Sequence, residues 1–467
     1  MDSAEFDLII VGAGPGGYVA AIRAAQLGRK VALVERQSTL GGTCLNVGCI
    51  PSKALLSSSG MYAAARQRLR EHGVLVGEVA LDLATLIARK NQVVEQLVGG
   101  VSKLMKKNKV TVVQGSGRLL GAGSVEVKSD LGLQKLQAKD VILATGSIPT
   151  MIPLLPFDGT RVVTSTEALS FDRVPAHLIV VGAGAIGLEL GLVWRRLGAK
   201  VTVVELLPNI APSSDRQVAK MLMKLLQGAG LEFLLETQVL RAEAGQGGVN
   251  VEIATKQGER RALSGDKVLV SIGRKPCTEG LGLAEAGVRL DSVGRVEVDE
   301  LLQTSVTGVY AIGDLIRGPM LAHRASDEGV AVVERLAGIA GAVSYDSIPS
   351  VIYSEPELAQ VGLTEEQVKD KGLECKVGRF YFRANGRALC AGEAEGMVKV
   401  IADARTDRLL GVHILGPHAA ELIAEAVAVM EFGGSSEDLA RIPHAHPTLM
   451  EALKEAALAV DGRPIHA

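Results

Sequence analysis

Two cysteines stand close together early in the chain, in the segment Cys44-Leu-Asn-Val-Gly-Cys49. Two thiols at this spacing can form a reversible disulfide if their Cα atoms come within about 7 Å of each other. A regular helix holds residues i and i+5 roughly 8.6 Å apart, so the pair needs a distorted turn. Gly48 permits such a turn, and Gly41-Gly42 could support it. The spacing favours a redox couple over two buried structural cysteines, and no second Cys-x-x-Cys or histidine cluster follows to suggest zinc.

The residues after Cys49 predict the helix that would hold this thiol. Pro51 marks the first turn of a regular helix, which we expect from residues 52–59 onward. Cys49 would then lie near the positive end of the helix dipole, where a thiolate is stabilised. Lys53, about one turn further on, would add a positive charge.

A second reactive group lies in the segment PHAHPTLME at residues 443–451. A substrate thiol has a pKa of about 8.5, so its attack at neutral pH is helped by a base that titrates near 7. His446 is such a group, and Glu451 is close enough to hydrogen-bond its other ring nitrogen and fix the tautomer. By themselves the two histidines could also form a surface loop or supply two ligands to a metal. His444 is expected to pack or to orient rather than to react.

An internal repeat supplies the elements that would position these groups. Residues 6–35 and 177–205 each read as an apolar strand, a Gly-x-Gly-x-x-Gly turn, an amphipathic helix and a second strand that ends in Glu35 or Glu205. Such a turn lets a pyrophosphate approach the backbone at a helix N-terminus, and the acid accepts hydrogen bonds from a ribose. Two dinucleotides are therefore expected on one chain. The turn glycines are Gly12, Gly14 and Gly17 in the first copy and Gly182, Gly184 and Gly187 in the second.

The surroundings of the two acids indicate which dinucleotide each copy binds. Glu205 is followed by Leu-Leu-Pro-Asn, with no Arg or Lys to meet a 2′-phosphate, so the second copy favours NAD over NADP. Glu35 comes shortly before the cysteine pair. The copy nearest the thiols is expected to hold the tightly bound electron relay, and FAD fits that task.

Composition and charge exclude several other classes of protein. The chain has 467 residues, which suggests three or four domains, and a formal net charge of −2, which offers no electrostatic surface to nucleic acid or an anionic membrane. The first strand begins by about Phe6, and no apolar run reaches the ~18 residues of a membrane span, so neither a signal peptide nor a transmembrane segment is predicted. The sparse cysteines favour a reducing, cytoplasmic location. Cys277, Cys375 and Cys390 are isolated and are expected to be structural.

The segment GGTCLNVGCIPSKALL at residues 41–56 resembles the active-site segment of the flavin disulfide reductases. The resemblance covers essentially the whole chain, because further segments similar to that family follow in the expected order. These segments are GSGR at 115–118, ATGS at 144–147, SIGRKP at 271–276, YAIGD at 310–314 with MLAH at 320–323, and PHAHPTLME at 443–451.

The resemblance implies how FAD is held. Gly117 would contact its adenosine part, Asp314 its ribityl chain, and the backbone of residues 320–323 its isoalloxazine ring. Lys53 and Glu189 resemble the pair beside the flavin N5, and a plain buried ion pair is compatible with that role. Beyond the two Gly-rich turns and their acids, the implied cofactor-binding residues are Lys53, Gly117, Thr145, Gly146, Ser147, Glu189, Gly273, Asp314, Met320, Leu321, Ala322 and His323.

The resemblance also implies an α/β fold with two Rossmann-like dinucleotide-binding domains, a central domain and a C-terminal α+β dimerisation domain. We expect an FAD-binding domain with the redox disulfide at 1–149, an NAD-binding domain at 150–276, a central domain with FAD contacts at 277–345, and an interface domain with the His–Glu base at 346–467. In this family the base is supplied across a dimer interface, which implies a homodimer.

The implied activity is the oxidation of protein-bound dihydrolipoamide, with NAD⁺ as final acceptor, in a 2-oxo-acid dehydrogenase complex. His446 would deprotonate a substrate thiol, Cys44 would form a mixed disulfide, and Cys49 would leave as a thiolate that passes its electron pair to the flavin. The lipoylated acyltransferase of the complex would be the partner. Two alternatives stay open: an NAD-linked reductase of another small disulfide, and a subunit that mainly docks on a multienzyme complex.

Overall fold

The structure is a computed structural model that describes residues 4–245 and 247–466. These residues form two compact units, each described below by itself. The first unit contains the described residues up to Leu55, Ala84–Thr150 and Gly273–Val343; the second contains Leu56–Leu83, Met151–Ile272 and the described residues from Ser344 onward. The borders of the four domains expected from the sequence stay predictions.

The chain up to residue 150 forms most of a sheet with parallel strands at its centre. The strands in this part of the chain are β1 (Ala4–Val11), β2 (Val31–Glu35), β3 (Thr111–Gln114), β4 (Ser116–Gly121), β5 (Ser124–Ser129), β6 (Gly132–Leu143) and β7 (Ser147–Pro149), of which β1 to β6 belong to this sheet. The helices are α1 (Pro15–Gln26), α2 (Gly42–Val47), α3 (Cys49–Gln67) and α4 (Leu83–Lys107), with a 3₁₀ turn at Leu69–His72. The sheet order is β3-β2-β1-β6-β5-β4; β3, β2, β1 and β6 are parallel, and β6, β5 and β4 are antiparallel. Leu8, Ile9 and Ile10 of the central strand are buried, as expected for a parallel strand covered on both faces.

The second copy of the repeat builds a parallel sheet in the second unit. The strands in this part of the chain are β8 (Val162–Val163), β9 (His177–Val181), β10 (Lys200–Val204), β11 (Leu231–Leu234), β12 (Thr237–Gly245), β13 (Gly248–Thr255), β14 (Arg260–Gly265) and β15 (Lys267–Val270). Its helices are α5 (Ser165–Ala168), α6 (Ala185–Arg196) and α7 (Arg216–Gly228). The parallel order is β11-β10-β9-β15-β8, and β12-β13-β14 form a separate antiparallel sheet. The strand–helix–strand unit β9-α6-β10 thus repeats β1-α1-β2.

The chain between residues 273 and 343 returns to the first unit. It contains β16 (Arg274–Pro276), β17 (Val309–Ala311), a 3₁₀ turn at Gly313–Leu315 and α8 (Ala322–Leu336). Strand β16 pairs with β7, and β17 pairs in parallel with β6 as the seventh strand of the first sheet. Arg23 of α1 and Glu334 of α8 are joined by an ion pair of 2.6 Å, so α8 is fixed beside the helix that follows the first Gly-rich turn.

The C-terminal part of the second unit is an antiparallel sheet with helices. The strands are β18 (Ser350–Ile352), β19 (Glu357–Gly362), β20 (Cys375–Tyr381), β21 (Met397–Asp403) and β22 (Leu409–Gly416), in the order β18-β19-β22-β21-β20. The helices are α9 (Glu365–Asp370), α10 (Gly386–Ala391), α11 (Ala419–Glu431), α12 (Ser436–Arg441) and α13 (Glu451–Val460), with 3₁₀ turns at Tyr345–Ser347 and Phe382–Ala384. Ala452, Leu453 and Ala456 of α13 are buried in the same apolar core as Phe380 and Val398 of the sheet.

The predicted fold class is confirmed: two Rossmann-like α/β folds are present, and the C-terminal part is α+β. The internal repeat is visible because its strand and helix patterns are local in sequence. None of the helices in the described ranges is long and apolar enough to cross a membrane.

Lys399 on β21 is a buried cation within the second unit. Its Nζ lies 2.6 Å from Oδ2 of Asp215 and 2.8 Å from Oε2 of Glu365, and only 1% of its side chain is exposed. Asp215 also caps α7 by accepting hydrogen bonds from the N–H groups of Gln217 and Val218. Burial acts to raise the pKa of Asp215, but the hydrogen bond from Lys399 and the nearby positive charges outweigh it, so the pKa is lowered. The cation therefore keeps a buried carboxylate charged.

Lys399→Ala is expected to lower the free energy of unfolding by about 3–5 kcal/mol, because it leaves the buried Asp215 carboxylate without its cation. Urea unfolding followed by circular dichroism measures the change. Lys369→Ala is the matched control, since Lys369 also pairs with Glu365 but has 69% of its side chain exposed. Its loss should leave the urea midpoint unchanged. Equal midpoints for the two variants would contradict the role assigned to Lys399.

Candidate active site

The two Gly-rich turns pack in the same way in both copies of the repeat. A Cβ atom at Gly17 would lie 1.8 Å from the oxygen of Gly12, and one at Gly187 would lie 2.1 Å from the oxygen of Gly182. Only glycine therefore allows each helix to pack this closely on its strand. Helices α1 and α6 each follow a glycine N-cap, so no side chain caps their first N–H groups. These groups can bind an anion such as a pyrophosphate.

Glu35 and Glu205 occupy equivalent positions, at the end of β2 and directly after β10. The carboxylate of Glu35 accepts hydrogen bonds from the N–H groups of Ala13 and Gln37, both at 2.8 Å. Glu205 accepts from the two equivalent N–H groups at 2.7 and 2.8 Å. Each acid is thereby held at its turn with lone pairs left for ribose hydroxyls. Glu205 is followed by Leu206, an exposed leucine that offers no charge to a 2′-phosphate.

A break between two helices brings the cysteines together. Helix α2 ends at Val47, Gly48 has φ −141° and ψ −116°, and α3 begins at Cys49. A Cβ atom at Gly48 would lie 2.8 Å from the oxygen of Thr43, so a larger residue would force the two helices apart. Cys44 and Cys49 are both present as thiols, and their side chains hydrogen-bond each other.

Helix α3 begins at Cys49, earlier than the residue range 52–59 predicts. Pro51 lies inside the first turn, where a proline is tolerated because the first four N–H groups of a helix have no partner within it. Cys49 is thus the first residue of α3 and lies at the positive end of the helix dipole.

The two thiols have different surroundings. Cys44 is half-buried and Cys49 is exposed. The hydrogen bond with Cys49, burial and the negative charge of an ionised Cys49 together raise the pKa of the Cys44 thiol, and the positive charge of Lys53 opposes them. The pKa of the Cys44 thiol therefore lies well above its ordinary value, and Cys44 holds its proton.

Arg274 connects the turn at residues 144–147 with the cysteine pair. Its guanidinium donates to Oγ and to the carbonyl oxygen of Ser147, both at 2.7 Å. Ser147 Oγ donates to Oδ2 of Asp314 at 2.5 Å. Burial lowers the pKa of Arg274, and the charges of Asp314 and Cys49 act against that shift. Arg274 is therefore a partly buried positive charge that acts on both Asp314 and Cys49.

A buried ion pair supports the segment expected to contact the flavin. Arg324 Nε lies 2.8 Å from Oε1 of Glu328, and both side chains are buried. Arg324 also donates to the carbonyl oxygens of Arg317 and Pro319, and Glu328 accepts from the N–H of Gly313. The pair therefore fixes the backbone directly before Asp314 and the backbone that leads into α8.

His446 and Glu451 form a hydrogen-bonded pair in the second unit. Nδ1 of His446 lies 2.8 Å from Oε1 of Glu451, whose Oε2 accepts from the N–H of Thr448 at 2.8 Å. Burial acts to raise the pKa of Glu451, but these hydrogen bonds outweigh it and the pKa is lowered. The carboxylate therefore accepts the Nδ1 proton and leaves Nε2 with a lone pair, on a ring that is 80% exposed. Buried Asn385 donates to the oxygen of Thr448 at 3.0 Å and holds this loop.

His444 has a different environment from its neighbour. Its Nε2 lies 3.0 Å from Oε1 of Glu425, its Nδ1 lies 2.8 Å from the oxygen of Ile442, and 5% of the side chain is exposed. The hydrogen bond with Glu425 raises the pKa of His444, with burial acting against it. His444 thus anchors the loop. Within the described residues, no group of three or more His, Cys, Asp or Glu side chains could hold a metal ion.

The predicted site residues fall into two groups. In the first unit the elements are in direct contact, because a Cβ atom at Gly42 would lie 2.6 Å from Cα of Gly14 and one at Gly12 would lie 2.5 Å from the oxygen of Ala144. That unit contains Gly12, Gly14, Gly17, Glu35, Cys44, Cys49, Lys53, Gly117, Thr145, Gly146, Ser147, Gly273, Asp314, Met320, Leu321, Ala322 and His323. The second unit contains Gly182, Gly184, Gly187, Glu189, Glu205, His446 and Glu451. Lys53 and Glu189 lie in different units, and their pairing stays a prediction.

Four residues that support the site are absent from the predicted set: Arg274, Arg324, Glu328 and Asn385. Arg324 and Glu328 have the i,i+4 spacing of a helical ion pair, which is a usable signal. Arg274 lies directly after Gly273 in a segment similar to the reductase family. No sequence pattern points to Asn385, whose partner residue is 63 positions away.

Comparison with known families agrees with this geometry. Residues 6–329 match the pyridine nucleotide-disulphide oxidoreductase family, and residues 348–457 match the dimerisation domain of the same family. The chain belongs to the pyridine nucleotide-disulphide oxidoreductases. The resemblance stated from the sequence is therefore confirmed.

Individual relatives match over nearly the full length. The chain is 49% identical over 466 residues to a mitochondrial dihydrolipoyl dehydrogenase of Pisum sativum, which covers 99% of this chain and 93% of the relative. It is 50% identical over 460 residues to dihydrolipoyl dehydrogenase 3 of Pseudomonas putida, which covers 98% of each. Among solved structures, LpdA of Mycobacterium tuberculosis matches with a TM-score of 0.89 and 26% identity, over 97% of this chain and 99% of that one.

The family implies FAD and NAD(H) as cofactors, and the residues of this chain fit both. Apart from its own neighbours along the chain, a Cβ atom at Gly184 would have no described atom within 4 Å, so the second turn has room for a pyrophosphate. The nearest atom to a Cβ at Gly14, 4.0 Å away, is Cα of Gly42 in the helix that carries Cys44. A dinucleotide at the first turn would therefore lie next to the redox helix. Helix α8 begins after Leu321 without a side-chain cap, which leaves N–H groups for the expected ring contact.

Cys49→Ala is expected to let the Cys44 thiol ionise at a lower pH than in the reduced wild-type protein. The substitution removes the hydrogen bond and the negative charge that raise the pKa of Cys44. Alkylation of Cys44 by iodoacetamide, followed by peptide mass spectrometry from neutral to alkaline pH, measures the change. Cys390→Ala removes an exposed cysteine outside the pair and is the control. An unaltered pH dependence in Cys49→Ala would show that the two thiols are not coupled.

Proposed function

We propose that the chain oxidises protein-bound dihydrolipoamide to lipoamide, with a Cys44–Cys49 disulfide and FAD as electron carriers and NAD⁺ as the final acceptor. The observation that supports the proposal most directly is the hydrogen-bonded cysteine pair at a helix break. The chain around that pair is 49% identical to a dihydrolipoyl dehydrogenase over nearly its full length.

In the oxidised enzyme the first step is proton removal from a substrate thiol. Nε2 of His446 takes the proton, and Glu451, through Nδ1, stabilises the imidazolium that results. The substrate thiolate attacks Sγ of Cys44, a mixed disulfide forms, and Cys49 leaves as a thiolate. The second substrate thiol then displaces Cys44 and gives it a proton. Lipoamide is released, and two electrons and two protons stay on the enzyme, one proton on His446 and one on Cys44.

The asymmetry of the reduced pair suits the transfer that follows. Cys44 holds its proton, and the Cys49 thiolate released in the first step lies at the N-terminus of α3, where the helix dipole favours a negative charge. The partly buried positive charge of Arg274 stabilises that thiolate. When bound, FAD would supply the two-electron chemistry that links the cysteine pair to NAD⁺.

The cofactor assignments follow the two Gly-rich turns. We propose that FAD is held by Gly12, Gly14, Gly17, Glu35, Lys53, Gly117, Thr145, Gly146, Ser147, Gly273, Asp314 and the backbone of Met320, Leu321, Ala322 and His323. We propose that NAD is held by Gly182, Gly184, Gly187 and Glu205, and that Glu189 pairs with Lys53 beside the flavin N5. In the second unit Glu189 accepts a hydrogen bond from the N–H of Tyr353 at 3.0 Å, which limits the directions its carboxylate can take.

The chain acts as a homodimer through its dimerisation domain and serves a 2-oxo-acid dehydrogenase complex. We propose that His446 of one subunit serves the cysteine pair of the other, and that the partner is the lipoylated acyltransferase of the complex. The sparse cysteines support a cytoplasmic location. The Pisum sativum relative is named mitochondrial.

The purified holoenzyme is expected to be yellow and to reduce NAD⁺ with dihydrolipoamide, and to be about 100-fold slower with NADP⁺, because Glu205 repels a 2′-phosphate. Absorbance of the reduced nicotinamide measures both rates. Glutathione in place of dihydrolipoamide tests the alternative of another small disulfide substrate. Turnover of glutathione disulfide without any oxidation of dihydrolipoamide would contradict the proposed substrate.

Cys44→Ser is expected to lower dihydrolipoamide turnover by about 10³-fold or more, because no mixed disulfide can form, while FAD stays bound. Turnover and the flavin absorbance of the purified variant are the two measurements. Cys390→Ser, at an exposed cysteine outside the pair, is the matched control and should behave as wild type. Wild-type turnover in Cys44→Ser would rule out Cys44 as the group attacked by substrate.

A further inference from the structure

One polar side chain from each of four neighbouring strands forms a row across the C-terminal sheet. Gln360 on β19 pairs with His413 on β22, which pairs with Lys399 on β21. Lys399 in turn pairs with Arg379 on β20. Residues directly opposite each other in an antiparallel sheet point to the same face, so these four side chains, here called the polar row, lie side by side. None of the four belongs to the candidate active site.

The two ends of the polar row bind the chain around the start of α7. Nε2 of Gln360 donates to the carbonyl oxygen of Ser213 at 2.9 Å. Nε of Arg379 donates to Oε1 of Gln217 at 2.8 Å. One contact lies before the N-cap of α7 and the other lies after it. The sheet therefore holds the segment Ser213–Gln217 at both of its ends.

The middle of the polar row is buried. Lys399 forms its ion pair with Asp215, which is the N-cap of α7. The neighbouring His413 is fully buried, and its Nε2 donates to the carbonyl oxygen of Leu363 at 3.0 Å. Three of the four side chains thus hold the segment Ser213–Gln217 at alternate residues.

The loop before this segment packs on the second Gly-rich turn. The loop begins after Glu205, whose carboxylate accepts from the N–H of Ala183 at 2.7 Å. Ala211 in the loop donates its N–H to the carbonyl oxygen of Ala183 at 2.9 Å. Ala211 is buried and has φ 45°, a conformation that a residue other than glycine keeps only when its surroundings fix it. The acid and the loop therefore hold the same residue of the turn.

The first copy of the repeat has the same backbone contact with a different support. The N–H of Gly41 donates to the carbonyl oxygen of Ala13 at 2.8 Å, and Ala13 donates its own N–H to Glu35. There the chain continues directly into α2, which packs against the turn through Gly42. In the second copy the chain continues instead into the segment that the polar row holds.

We propose that the polar row is a positioning element for NAD⁺: by holding Ser213–Gln217, it keeps the loop after Glu205 on the second Gly-rich turn in the conformation that binds the dinucleotide. This role rests on the proposed function, because that function assigns NAD to this turn. The row lies within residues 348–457, which match the dimerisation domain. Nucleotide affinity would then depend on residues outside the dinucleotide-binding fold, acting through the loop.

Gln360→Met and Arg379→Met each remove a hydrogen bond to the segment and keep an unbranched side chain. Each is expected to raise the Kd of the oxidised holoenzyme for NAD⁺ by about 3- to 10-fold, because the loop loses one of its supports. Isothermal titration calorimetry with NAD⁺ measures the change, and no reaction occurs because no electron donor is present. Lys399 is left in place, since its loss is expected to destabilise the second unit.

Lys369→Met is the matched control for Arg379→Met, because Lys369 and Arg379 both pair with Glu365. Its Kd for NAD⁺ should equal that of wild type. Gln217→Leu removes the same hydrogen bond from the side of α7, so it should weaken NAD⁺ binding as Arg379→Met does. The double variant should bind NAD⁺ no more weakly than Arg379→Met alone.

Steady-state kinetics separate this role from a merely structural one. In Gln360→Met and Arg379→Met the KM for NAD⁺ should rise, while kcat at saturating NAD⁺ and the anaerobic rate of flavin reduction by dihydrolipoamide stay at wild-type values. A merely structural row would lower the active fraction, and with it kcat, and leave Kd and KM unchanged. An unchanged Kd in either variant would overturn the role of the polar row. A wild-type holoenzyme that does not bind NAD⁺, or does not oxidise dihydrolipoamide, would instead overturn the proposed function.

Discussion

The contact between the Cys44 and Cys49 thiols depends on the helix break at Gly48, and the rest of the site depends on that contact. A continuous helix would hold the two Cα atoms roughly 8.6 Å apart, beyond the reach of a disulfide. Helix α2 is a six-residue segment that cannot be stable by itself. It is held because Gly42 at its start packs against Gly14 of the first dinucleotide turn. The first dinucleotide turn and the redox helix therefore share one backbone contact. Any substitution at Gly14 or Gly42 would change that contact.

In both units, buried side chains hydrogen-bond to the backbone of a loop and hold that loop in place. The Arg324–Glu328 pair is costly to bury, and its cost is offset by hydrogen bonds to two carbonyl groups and one N–H group around the expected flavin segment. Asn385 does the same for the loop that presents His446, by donating to the oxygen of Thr448. In each case an irregular backbone is fixed without a regular hydrogen-bond ladder, which is what a site built on loops requires.

The parts of the fold that could be predicted from the sequence are those with local patterns. Three features have such patterns: the strand–turn–helix repeat, the acids at or directly after the second strands, and the His446–Glu451 pair. In each of them, regular geometry or a short loop determines the spacing of the residues. Arg274 reaches Ser147 across 127 positions, and the Lys399–Asp215 pair spans 184. Such contacts depend on how sheets and helices pack, which periodicity does not specify. The start of α3 at Cys49 could not be predicted from the sequence either, because proline is tolerated at several positions of the first turn of a helix.

The two groups of the proposed proton path are held by different physical means. The Cys44 thiol is half-buried, so desolvation and a hydrogen bond to its partner make it keep a proton. The His446 ring is oriented by the hydrogen bond between its Nδ1 and Glu451, which leaves Nε2 for a substrate thiol. Glu451 is the first residue of helix α13, and the buried face of that helix, with Ala452, Leu453 and Ala456 in the core, keeps the carboxylate in place.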